Sequence, residues 1–222
     1  MISVAIDGPA GAGKSSLARA AAKELGFIYV DTGALYRTLG LKLMNNGIST
    51  DDVVAVEALL NETNVDLRFV DGEQHVFLDG EDVSDKIRTP EVSMAASRCS
   101  ALPVVRAFLL EKQRDLAKHN NVLMDGRDIG TVVLPNATVK IFLTASAEER
   151  AQRRYLELCE KGQKVEYKDV YDDMVKRDYE DSHREIAPLK PAEDSVTVDT
   201  TGKNLEESRA LLLNVIRERL DG

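Results

Sequence analysis

The stretch Gly8-Pro9-Ala10-Gly11-Ala12-Gly13-Lys14-Ser15 has the spacing G-x-x-x-x-G-K-[ST], the pattern of a loop that cradles phosphates. Without β-carbons, Gly8, Gly11 and Gly13 let the chain turn tightly and bring backbone N–H groups close to an anion. Those donors form a nest at the positive end of the following helix. Pro9, Ala10 and Ala12 complete the loop, and Ser16 adds a second hydroxyl after Ser15. In such a loop Lys14 reaches the β- and γ-phosphates and the Ser15 hydroxyl ligates Mg²⁺. The pattern specifies a nucleoside triphosphate and leaves its use open: transfer to an acceptor, or binding by a nucleotide-dependent switch.

Acids end two apolar runs, at Asp7 and Asp125. On one edge of a parallel sheet with the phosphate loop, each would hold Mg²⁺ through water or cap a local turn. Arg37, Arg127, Arg150, Arg153, Arg154, Arg177 and Arg184 all fall near strand ends or on the helices that follow. Arginine grips phosphate with a planar fork and stabilises a transferring phosphoryl group. The alternative for these arginines, above all in residues 146–160, is ion pairing with nearby Glu and Asp at helical spacing. No N-K-x-D signature of a GTPase occurs.

These groups need elements to carry them. Residues 3–7 read as a buried strand, 15–25 as a helix stopped by Gly26, and 27–30 as a second strand. That order predicts a right-handed parallel crossover. Asp31 and Thr32 then lie at a strand's carboxyl end, where ligands sit in open α/β sheets, or they cap the helix over 34–45. Residues 65–70 and 75–80 alternate apolar and polar around the turn signal Asp71-Gly72-Glu73, and 81–83 add a short third piece. An antiparallel patch is therefore inserted at about 49–91. Helical patterns follow over 90–101 and 103–118, strands over 121–125 and 139–144, and a helix opened by Ser146 and Glu149. A helix over 167–183 puts Arg177, Asp181 and Arg184 on one face. A strand over 195–199 and an amphipathic helix over 205–220 close the chain.

Length, charge and cysteine content narrow the class. The 222 residues suit one α/β domain with an insertion, and the apolar fraction of 43% supports a packed core. A net charge of −9 argues against an extended nucleic-acid surface. No run approaches a membrane span, and the N-terminus enters the first strand directly, so a cytoplasmic protein without membrane partner is expected. Cys99 and Cys159 read as idle thiols, and His75, His119 and His183 form no ligand cluster. With no apolar seam evident, a monomer is expected.

The phosphate loop together with Asp31-Thr32-Gly33-Ala34-Leu35-Tyr36-Arg37, Asp125-Gly126-Arg127-Asp128-Ile129-Gly130-Thr131-Val132-Val133, Arg177-Asp178, Asp181, Arg184 and Ala187-Pro188-Leu189 resembles the bacterial cytidylate kinases, a family of P-loop nucleoside monophosphate kinases. The likeness covers essentially the whole chain. It implies an α/β fold: a five-stranded parallel sheet flanked by helices, with an inserted subdomain containing a small antiparallel sheet, and a short lid. In this sequence the core would be 1–48 and 92–222, the insert 49–91 and the lid about 150–165. The implied reaction is Mg²⁺-dependent transfer of the ATP γ-phosphate to CMP or dCMP. By matching position, Ser97, Arg106 and Asp128 would read cytosine, and Arg177 and Asp181 would hold the pentose. Arg37, Arg127 and Arg184 would grip the acceptor phosphate, with Thr32 and Asp125 in the same site. Lys14, Arg127, Arg153 and Arg184 would carry the catalytic charge. Ser16 stands where Thr is common in the family and keeps the hydroxyl.

Overall fold

The computed structural model describes residues 1–70 and 73–221. The first half of the chain forms β1 (Ser3–Asp7), α1 (Lys14–Leu25), β2 (Ile28–Asp31), α2 (Thr32–Asn45) and α3 (Val53–Asn61). The insertion follows as β3 (Val65–Val70), β4 (Glu73–Leu78) and β5 (Glu81–Asp82). Then come α4 (Pro90–Cys99), α5 (Pro103–His119), β6 (Val122–Gly126) and β7 (Val139–Thr144). The chain ends with α6 (Ala147–Glu160), α7 (Tyr167–His183), β8 (Val196–Asp199) and α8 (Leu205–Asp221).

β2, β6, β1, β7 and β8 form a five-stranded sheet in that order, with every neighbour pair parallel. β3, β4 and β5 form a separate antiparallel sheet. The parallel register sets Asp7 opposite Gly126 and Asp31 opposite Asp125, so three carboxylates stand along one edge. That edge is where open α/β sheets hold ligands.

The near-continuous apolar runs of the central strands follow from burial on both faces. On one face Val4, Ile6, Ile141 and Leu143 pack against Leu17 and Ala21 of α1 and Leu212 and Ile216 of α8. A second core joins α2, α4 and α5 to the insertion through Leu35, Leu39, Val76, Ile87 and Leu109. α2 crosses α4 at Gly40, where a β-carbon would come within 2.9 Å of the Ala96 amide nitrogen.

Most element boundaries fall within two residues of the sequence expectation. β4 is shifted by two residues at both ends, running Glu73–Leu78 instead of 75–80, with Glu73 paired with Val70. Its predicted turn residues Asp71 and Gly72 lie outside the described residues. The segment after Arg127 had no predicted element and folds as a π-helical turn, Ile129–Val133. Of the two thiols, Cys99 is buried and Cys159 exposed. His75 pairs through Nδ1 with Asp82 at 2.8 Å.

Candidate active site

The phosphate loop is shaped by its glycines. Gly8 lies so close to β7 that a β-carbon would stand 2.0 Å from the Leu143 carbonyl oxygen. Gly13, at φ 82°, is the N-cap of α1 and has no side chain to occupy the helix's first N–H groups. Lys14 is buried and its Nζ donates to the Pro9 carbonyl at 2.7 Å. Burial, then repulsion from Arg127, pushes its pKa well below the usual ammonium range.

Beside Lys14, the Ser15 hydroxyl donates to Asp125 Oδ2 at 3.0 Å, and the Tyr29 hydroxyl donates to Asp125 Oδ1 at 2.8 Å. Burial, then the neighbouring Asp31 charge, pushes Asp125 up to about 6. A hydroxyl next to a buried carboxylate is a hard-oxygen pair of the kind Mg²⁺ accepts, since Mg²⁺ keeps most of its waters and needs few protein ligands. Of its two alternatives, an ion site through water or a turn cap, Asp7 takes the second. Its two oxygens accept the N–H groups of Ile129 and Gly130, each at 2.7 Å.

α6 and α7 brace the loop from outside. Arg150, on the first turns of α6, donates to the Ala10 carbonyl at 2.9 Å and pairs with Asp178 of α7 at 2.6 Å. It is buried, and its carboxylate partner comes from α7 instead of from a helical neighbour on α6. The Ser146 hydroxyl caps α6 through the Glu149 N–H at 3.2 Å, while Glu149 turns to the Gly202 N–H and to Arg153. Arg153 also donates to the Thr200 carbonyl at 3.2 Å. It helps to line a cavity of about 430 Å³ with Gly11, Gly13, Ser16, Asn204 and Ser208. Arg154 is held by Glu157 at 2.8 Å, as an i,i+3 pair.

A second cluster of cations stands across the sheet edge. Arg37 donates to Asp31 Oδ2 at 2.8 Å and Arg127 donates to Asp181 Oδ2 at 2.9 Å. Burial opposes ionisation of both acids, yet the guanidiniums beside them hold Asp31 and Asp181 below the usual carboxylate range. Burial and then repulsion from Arg127 bring Arg177 down to about 10. Thr32 donates to the Asp125 carbonyl at 2.7 Å, which fixes the start of α2 against β6. Among the described residues, the buried Arg37 Nε and Arg177 Nε have no hydrogen-bond acceptor, while Arg184 Nη2 makes no hydrogen bond but faces Asp128 Oδ1 as an ion pair at 3.5 Å. Two buried guanidinium donors without acceptors in one region point to an anion.

Next to these, Arg106 of α5 is paired with Asp128, and Arg184 stands 3.5 Å from the other Asp128 oxygen. Burial raises the Asp128 pKa, against the pull of Arg106 and Arg184. The Arg106 guanidinium also lies 5.7 Å from the Tyr36 ring centre and donates to the Ser100 carbonyl. Arg184 is set by the turn after α7: its Nε donates to the carbonyl of Ala187, a left-handed residue at φ 50°. Ser97 lies on α4, where its carbonyl accepts from the Ser100 hydroxyl at 2.8 Å, and among the described residues no hydrogen bond joins its hydroxyl to Arg106 or Asp128.

Several contacts had no sequence signal. Gln74 of β4 accepts from the Asp31 N–H at 2.8 Å, and Arg88 donates to Asp31 Oδ2 at 3.1 Å. The insertion thus touches the acid that holds Arg37. Arg114 of α5 donates to the carbonyls of Val132 and Val133. Each of these partners is distant in the chain, so spacing could not reveal them.

A family model described as Cytidylate kinase matches residues 4–218. The chain is 55% identical over 93% of its length to a cytidylate kinase of Caldicellulosiruptor bescii, of which it covers 91%. It is 50% identical to a cytidylate kinase of Carboxydothermus hydrogenoformans, with 98% of each chain covered. Among solved structures, an uncharacterized protein from Eubacterium ventriosum shares the fold at a TM-score of 0.51 and 11% identity, covering 98% of this chain and 99% of that one.

Proposed function

Because the chain belongs to the cytidylate kinase family, we propose that it transfers the γ-phosphoryl group of ATP to CMP or dCMP. The observation that carries the reading is the pair of buried guanidinium donors without acceptors, Arg37 Nε and Arg177 Nε, beside Asp128 with its two arginines, Arg106 and Arg184. The loop N–H groups and Lys14 hold the donor phosphates. Arg37, Arg127 and Arg184 hold the acceptor phosphate, and Arg177 and Asp181 the pentose. Asp128 accepts from the cytosine amino group while Arg106 and Ser97 donate to its ring and carbonyl acceptors. A phosphate oxygen of the acceptor attacks the γ-phosphorus in line, the bond to the β-phosphate oxygen breaks, and ADP leaves without a covalent enzyme intermediate.

Ser15 and Asp125 would hold Mg²⁺, which when bound neutralises charge on the β- and γ-phosphate oxygens. Lys14, Arg127, Arg153 and Arg184 supply the remaining positive charge, and fixing both reactants lowers the barrier further. Residues 49–91 form an acceptor-side unit on a core of 1–48 and 92–222, and about 150–165 act as a short lid. The protein works as a cytoplasmic monomer on small nucleotides, with no nucleic-acid polymer or membrane as partner. In support, no single helix among the described residues is long and apolar enough to cross a membrane.

ADP release from ATP should require CMP or dCMP in a coupled assay. ATP turnover at the same rate with and without an acceptor would instead support the nucleotide-switch reading. Arg37→Ala should raise the KM for CMP by about tenfold or more, since hydrogen bonds to charged groups contribute about 1.5–3 kcal/mol, and should spare the KM for ATP.

A further inference from the structure

Asp128 occupies the N-cap position of the π-helical turn Ile129–Val133, yet its side chain makes no cap hydrogen bond. Aspartate is among the preferred N-cap residues because its carboxylate readily accepts the N–H of the second or third helical residue. Here that carboxylate is engaged by Arg106 and Arg184. The Gly130 N–H, one of the two that an N-cap side chain here would take, is instead accepted at 2.7 Å by Asp7 at the end of β1, whose other oxygen accepts the Ile129 N–H at the same distance. The opposite end of the turn is held from outside as well, by Arg114 on the Val132 and Val133 carbonyls. An anion at the N-terminal end and a cation at the C-terminal end both match the turn's dipole.

We propose that Asp7 is a positioning residue for acceptor specificity: it caps the turn in place of Asp128 and so keeps the Asp128 carboxylate beside Arg106 and Arg184, at the pyrimidine site, instead of on the turn. The inference rests on Asp128 as the group that reads cytosine. Three features make Asp7 suited to this and to little else. It is buried, and both its oxygens are taken by backbone donors. A β-carbon on Gly130 would come within 3.3 Å of Asp7 Oδ2, so the carboxylate fits closely against the turn. Its strand is paired with β6 in a register that sets Asp7 opposite Gly126, which fixes the reach to residues 129 and 130. Without Asp7, the buried Ile129 and Gly130 N–H groups lose their acceptor, and the Gly130 N–H is the one that an N-cap Asp128 carboxylate would take.

The test is a four-member cycle: the wild type, Asp7→Asn, Asp128→Asn and the double variant, each assayed for kcat/KM with CMP and with UMP. Asp128→Asn should lower the CMP:UMP ratio by about fivefold or more, the range for a lost buried polar partner. Asp7→Asn should lower it by a similar factor, with the KM for ATP unchanged. In the double variant the ratio should fall no further than in Asp128→Asn alone, because Asp7 acts through Asp128. A purely structural Asp7 would lower thermal stability and leave the ratio at its wild-type value, which overturns the inference. An unchanged ratio in Asp128→Asn overturns the cytosine reading itself. If Asp7→Asn does not fold, Gly130→Ala, which crowds the same carboxylate, should lower the ratio, and a wild-type ratio there overturns the inference.

Discussion

Arg177 has its guanidinium buried near Arg127 and Arg37, and its Nε has no acceptor among the described residues. Such a cluster repels itself until an anion arrives, so anion binding should be linked to folding. Sulfate should therefore raise Tm above chloride at equal ionic strength, by about 2–4 °C for each kcal/mol of binding free energy. Equal Tm values in the two salts would remove the anion site. Asp7 gives a second expectation. Burial, opposed by its two N–H donors, raises its pKa from 3.8 to about 6. Between those values the folded state binds more protons than the unfolded state, so stability contributed by Asp7 rises as pH falls from 7 toward 4. The wild type should gain Tm relative to Asp7→Asn over that window, and a constant difference would show that the carboxylate is not perturbed. At this scale the glycine loop and the acids at strand ends were legible, because spacing and local apolar runs define them. The contacts of Arg150, Gln74 and Arg88 were not, because their partners lie 140, 43 and 57 residues away.

The elements deliver these residues by a few close contacts. Arg150 ties α6 to the loop carbonyl of Ala10 and to Asp178 of α7. Arg150→Met keeps the apolar stem but leaves both partners unpaired, and should cost about 1.5–3 kcal/mol of stability and raise the KM for ATP. Denaturant unfolding with an unchanged midpoint would contradict the brace. The α2–α4 crossing sets Arg37 relative to the α4–α5 junction. Gly40→Ala would bring a β-carbon within 2.9 Å of backbone on α4 and should cost about 1–3 kcal/mol by overpacking. Elements with strong periodicity were readable: β7 and α7 fall on their expected residues. The π-helical turn was not, because its hydrogen bonds are completed by Asp7 and Arg114 from other elements.

For the whole molecule, strand order accounts for the site. β1 lies between β6 and β7, so the phosphate loop, Asp125 and the Arg127–Asp128 turn open on one edge. α6 and α7 close one side of that edge, and the insertion reaches the other through Gln74 and Arg88 on Asp31. The parallel core and the antiparallel patch could both be read from the sequence, because period and run length differ between them. How the insertion docks could not be read, since a single glutamine in an alternating strand carries no such signal. The central claim is that these parts assemble a kinase for cytidine nucleotides. A coupled ATP assay across CMP, dCMP, UMP and AMP tests it most directly. CMP and dCMP should be phosphorylated with kcat/KM well above UMP and AMP, whereas UMP or AMP turned over as well as CMP would contradict it.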